Sequence, residues 1–77
     1  MASKLTKAQT AALYAISEEL EGTGEINNRI KEVERLIEEY EIPAVSSDLV
    51  ETLNSAYQDM LNNFPQEAAT LAKRFKL

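Results

Sequence analysis

Between Ile26 and Tyr40 the apolar residues Ile26, Ile30, Val33, Ile37 and Tyr40 follow one another at steps of four, three, four and three. That alternation places them along one side of a helix and nowhere on one face of a strand, whose side chains alternate at every second residue. Leu36 broadens the row into the wider stripe of a bundle helix, and two heptads are too short for a free-standing coiled coil. The chain is therefore expected to bury this stripe against other helices.

Three further segments share the period, each fenced by start and stop chemistry. The first is expected over about Lys7–Glu21, with Thr6 as cap and Gln9 completing a capping box. Leu13, Ile16 and Leu20 form its apolar row, with Ala8, Ala12 and Ala15 nearby, and Gly22-Thr23-Gly24 ends it through a left-handed glycine. The second, from about Glu25 to Glu41, is closed by Pro43, which forces Ile42 into an extended conformation. Glu25 and Arg29 are spaced for an ion pair along it, as are Arg35 and Glu39.

Ser46 caps the third helix, with Val45 and Val50 at the positions of a hydrophobic staple and Asp48 in the first turn. It is expected to reach about Asn63 and to bury Val50, Leu53, Tyr57, Met60 and Phe64, with Leu49, Ala56 and Leu61 alongside. Pro65 suits the first position of a last helix running to about Lys76, which would bury Ala68, Leu71, Ala72 and Phe75. Connections of about three, six and two residues make successive helices antiparallel neighbours. The expected architecture is a single all-α domain over residues 1–77, a compact bundle of four short helices, with a three-helix core plus a docked C-terminal helix as the alternative.

A chain of 77 residues is near the lower limit for a core without staples, and it holds neither cysteine nor histidine. Disulfides, thiolate or imidazole metal ligands, and the commonest nucleophile and general base are thereby removed. Packing must hold the fold, and apolar surface buried against another copy would supplement it. The first residues show no apolar run of signal-peptide length, and no segment approaches the length needed to span a bilayer, so a cytoplasmic protein is expected.

Thirteen acidic and eight basic residues give a net charge of −5, unevenly spread. From Glu18 to Ala72 lie all the acids and only Arg29, Lys31 and Arg35, whereas Lys4, Lys7, Lys73, Arg74 and Lys76 cluster at the two ends. A long acidic surface repels nucleic-acid phosphate and suits a basic protein partner.

No catalytic constellation stands out. Glu34, Glu38 and Glu41 share a helical flank, but the carboxylate-bridged metal bundles use Glu-x-x-His pairs that a chain without histidine cannot supply. Gly22 and Gly24 match neither phosphate-binding glycine spacing. Neither enzyme activity, cofactor nor metal is expected.

Ser46-Ser47-Asp48-Leu49, followed by Val50-Glu51, opens a helix in a short acidic chain. In this it resembles the acyl carrier proteins, four-helix domains that carry a pantetheine arm on a serine in an Asp-Ser-Leu motif. The resemblance implies an arm on Ser46 or Ser47. The order departs from the motif, because no aspartate precedes either serine and no leucine directly follows one. The helix is also third rather than second, and N-capping accounts for the same residues.

The leading expectation is a non-enzymatic protein-binding module, a regulator, inhibitor or immunity-type factor of the kind found among phage and plasmid products. It would dock on a basic protein partner, with no specific nucleic-acid binding and no membrane. The candidate contact residues are Tyr14, Glu18, Glu21, Glu34, Glu38 and Glu41. Tyr14 lies beside rather than within the first apolar row, and exposed aromatics next to charge are common interface anchors. A homodimer or assembly subunit, pairing through the seam of the second helix, is the second expectation, and a carrier protein the third.

Overall fold

The computed structural model describes residues 5–77, and Lys4 lies outside them. Four helices make up the described chain: α1 (Lys7–Glu21), α2 (Ile26–Glu39), α3 (Ser47–Asn63) and α4 (Pro65–Phe75). Among the described residues there is no strand, and no helix is long and apolar enough to cross a membrane.

The capping chemistry sets most boundaries. Thr6 accepts from the Gln9 amide at 3.1 Å while Gln9 Oε1 accepts from the Thr6 amide at 3.0 Å, the reciprocal capping box. Gln9 Nε2 also donates to the carbonyls of Tyr40 and Glu41, at 3.0 and 3.3 Å, which fastens the start of α1 to the end of α2. Glu25 is the N-cap of α2, its carboxylate accepting from the Asn28 amide, so it does not form the expected pair with Arg29. The Ser46 hydroxyl accepts from Leu49 at the head of α3, and Pro65 occupies the first turn of α4.

The end of α2 comes earlier than the sequence reading placed it. Ile42 donates to the Ile37 carbonyl and Glu41 to that of Glu38, at 3.0 and 3.1 Å, with Glu41 left-handed at φ 52°. This is the Schellman pattern, with glutamate where glycine is usual. Ile42, expected merely to be extended ahead of Pro43, is thereby folded back and buried. The α1 terminus also differs from expectation: Gly22 is extended, at φ −79°, and Gly24 takes the positive φ, 118°.

Packing runs α1 on α2, α1 on α3, α3 on α4 and α2 on α4. Thus α2 and α3, joined by residues 40–46, lie across a diagonal rather than side by side, against the expectation for successive helices. Gln9 beside Tyr40 makes α1 and α2 antiparallel, whereas Arg29 near Glu67 and Glu34 near Arg74 make α2 and α4 parallel. The groove pairing Thr10 and Ser17 with Asp48 and Ser55 likewise makes α1 and α3 parallel. The bundle therefore consists of two layers of parallel helices, α1/α3 and α2/α4, running in opposite directions.

Ile16, Leu20, Val33 and Leu71 are the largest fully buried side chains, joined by Ala68, so α4 is integral to the core rather than docked on it. Two stripes are rotated relative to expectation. In α3 the buried row is Leu49, Leu53, Ala56 and Met60; Tyr57 is half-buried, and Val50, Leu61 and Phe64 are exposed. Small Ala56 lets the neighbouring helix approach, which places Leu49 rather than Val50 inside. The expected staple is absent, since Val45 is 90 % exposed. In α2 the inner row is Arg29, Ile30, Val33 and Leu36; Ile26 and Ile37 are half-buried, and Tyr40 has left the core. Ala8 and Ala15 are exposed and Ala72 is half-buried.

Candidate functional site: the acidic face of the α1/α3 layer

Arg29 is the one buried charged residue among those described, 5 % exposed. Its guanidinium donates to the Leu20 carbonyl at 2.7 Å, the Gly24 carbonyl at 3.2 Å and Glu67 at 2.6 Å. It thereby satisfies an otherwise unbonded carbonyl at the end of α1, holds the α1–α2 turn, and reaches the first turn of α4. Such a forked donor set is available to arginine and not to lysine. The sequence reading gave Arg29 an ion pair with Glu25, although Arg29 shares a helical row with Ile26, Val33 and Leu36.

The remaining ion pairs among the described residues are Arg35 with Glu32 and Glu39, and Arg74 with Glu34. The Arg74 fork grips both Glu34 oxygens, at 2.8 and 2.9 Å, and its hydrogen bonds hold that carboxyl below its usual range while raising the arginine. Hydrogen bonding from Arg35 likewise lowers Glu32 and raises Arg35. Every one of these pairs belongs to α2 or α4.

Charge is consequently divided between the layers. Helices α2 and α4 carry five acids and five bases, whereas α1 and α3 carry Glu18, Glu19, Glu21, Asp48, Glu51 and Asp59 against Lys7 alone. Of the basic C-terminal cluster of the sequence, Arg74 has folded back onto Glu34 of α2. Among the described helices, the excess of acids over bases lies on α1 and α3.

The seam between α1 and α3 carries two separate hollows, one along its length and one at the end where the α1–α2 and α3–α4 turns lie. On α1 the seam is walled by Thr10, Tyr14, Ser17 and Glu21, at steps of four, three and four. On α3 the facing row is Asp48, Thr52, Ser55 and Asp59, at the same steps, with Glu51 beside it. The upper part encloses about 440 Å³ over Leu13, and a smaller hollow of about 150 Å³ lies at the other end, bordered by Phe64. Tyr14 is 70 % exposed and Phe64 59 % exposed. Neither α1 nor α3 has a basic residue in its last turn, but the Arg29 guanidinium bonds to the Leu20 carbonyl there and α2 and α4 begin at the same end of the bundle.

Three of the expected site residues fall together: Tyr14, Glu18 and Glu21 share the exposed side of α1, where Glu21 accepts a hydrogen bond from Ser17. Glu34, Glu38 and Glu41 do not join them. Glu34 is held by Arg74, Glu38 borders a different groove beside Ile37 and Phe75, and Glu41 forms the left-handed turn after α2. Asp48, Glu51, Asp59 and Phe64 were missed as site residues, and the matching rows of α1 and α3 were the signal that could have found them. Among the described residues no group of three or more carboxylates could hold a metal ion. Ser46 is engaged as a cap and Ser47 is exposed in the first turn. Comparison with protein-family models, curated proteins and solved structures returned no match.

Proposed function

We propose that this chain is a non-enzymatic protein-binding module whose α1/α3 face docks on a basic protein partner. The observation that carries the reading is the confinement of ion pairs to α2 and α4, which leaves six acids opposed by one base on α1 and α3. An acidic face of this kind steers a positively charged partner into encounter and sets the salt dependence of binding. Tyr14 and Phe64 supply aromatic surface that anchors a contact once formed. Occlusion of the partner's own binding surface would make the module a regulator or inhibitor.

The test is capture from lysate by the immobilised protein, with elution by rising salt. The expected result is a basic protein that elutes as ionic strength increases and is lost by a Glu18→Lys, Glu21→Lys, Asp59→Lys variant, while a Glu32→Lys, Glu39→Lys variant retains it. Equal capture by both variants would defeat the reading. A strict homodimer with no hetero-partner would favour the assembly-subunit alternative instead.

A further inference from the structure

The groove between α1 and α3 is specific enough in shape and charge to define its occupant. We propose that it receives a single cationic amphipathic helix of the partner, lying along the seam between α1 and α3; this rests on the acidic docking reading above and specifies the element that docks.

Two parallel helices present facing rows at steps of four, three and four, and a third helix inserts its own side-chain ridge between such rows. The groove walls are short at Thr10, Ser17, Thr52 and Ser55, so an incoming backbone can approach closely over Leu13. A helix satisfies its own backbone groups, whereas an extended peptide would need a strand edge, and the described residues contain no strand.

Charge marks the two ends. Asp48 and Glu51 lie at one, Glu21 and Asp59 at the other, and Arg29, the sole base bordering either hollow, is already paired with Glu67. From Asp48 to Asp59 the helix rises about 16 Å, so basic residues about eleven positions apart on the docked helix reach both ends. Tyr14 and Phe64, one toward each end, offer ring faces to those cations.

The probe is an alanine-based peptide of about 18 residues with arginines along one face, the outer pair about eleven apart, and a scrambled peptide of equal composition serves as control. Backbone amide shifts of the isotopically labelled full chain are recorded at low and high salt. The expected result is shifts confined to residues 10–21 and 48–64, peptide helicity gained on binding, and an affinity about tenfold above the scrambled control. Asp48→Asn with Glu51→Gln, and separately Glu21→Gln with Asp59→Asn, should each weaken binding about fivefold or more, while Glu38→Gln with Glu41→Gln leaves it unchanged.

Equal affinity for the scrambled peptide, or equal loss in the Glu38→Gln, Glu41→Gln variant, would overturn the helix proposal while leaving a basic partner in place. Sedimentation showing a dimer that the peptide dissociates would overturn it by seating a second copy in the groove. Failure of both peptides together with failure to capture any basic protein would bring down the docking reading itself.

Discussion

Replacing Arg29 by methionine removes the guanidinium while keeping an unbranched apolar stem of similar reach, so the loss isolates three hydrogen bonds from the packing of the side chain. Two of them end on backbone carbonyls, Leu20 and Gly24, and one on Glu67, whose side chain is about a third exposed. Hydrogen bonds to charged groups contribute about 1.5–3 kcal/mol each, but Gly24 and Glu67 regain water when the arginine is lost, and only the Leu20 carbonyl becomes an unsatisfied acceptor in a buried setting. The expected cost is therefore about 2–4 kcal/mol, below the simple sum of the three. For a domain of this size that lowers the melting temperature by roughly 10–25 °C. Urea unfolding followed at the helical dichroism band measures it, with an unchanged slope showing that the loss is in stability rather than in residual compactness. Arg29→Lys keeps the charge but not the fork and should recover less than half of the loss. Arg35→Met, which breaks two exposed pairs, should leave the urea midpoint nearly unchanged. An Arg29→Met protein within about 0.5 kcal/mol of the parent would refute the assignment of Arg29 as the tie between α1, the α1–α2 turn and α4.

Glu41→Gly relieves a non-glycine residue held at φ 52° and should stabilise the fold by about 0.5–1 kcal/mol, read as a raised melting temperature. Gln9→Ala breaks the capping box and both bonds to the end of α2, and should destabilise by about 1–2 kcal/mol in the same urea assay. Tyr14→Ala should leave the melting curve within about 0.5 kcal/mol of the parent yet weaken partner binding, because the ring is exposed and packs against little of its own chain. Glu34, whose carboxyl Arg74 holds below its unfolded value, stabilises the native state above that value, and the contribution is lost as pH falls through the lower folded value. The stability gap between parent and Glu34→Gln should therefore be constant near neutrality, shrink once pH falls below the ordinary glutamate range, and close below the lowered folded value.

The number of helices and most of their ends were legible because capping is local. Thr6 with Gln9, Ser46 and Pro65 each act within one turn, and α1 runs over Lys7–Glu21 as its sequence signals require. Phase was harder to read. Leu49 and Val50 are adjacent and both apolar, so the period alone does not decide which row turns inward; Ala56, on the same row as Leu49, permits the close approach that does. Arg29 escaped because its partners lie at sequence separations of nine, five and thirty-eight residues, while the nearer Glu25 offered a local partner on paper. Glu25 is instead consumed as a helix cap.

The site was half legible for a related reason. Its charge could be summed along the chain, but which acids remain free depends on which helices become neighbours. Had α2 packed beside α3 in a simple ring, each acid-rich helix would have faced the arginines of α2 along its flank. The connection over residues 40–46, turned by the Schellman hydrogen bonds at Glu41 and Ile42 and by the Ser46 amide bonding to the Pro43 carbonyl, instead carries the chain across the diagonal. Helix α4 then returns beside α2, where Arg74 takes Glu34 and Glu67 takes Arg29, and the acids of α3 lie beside those of α1, away from α2. An asymmetry between the middle and the ends of the sequence becomes an asymmetry between two faces of the bundle. Charge reversal on α1 and α3 should accordingly alter association far more than folding, whereas the same reversal on α2 should alter folding first.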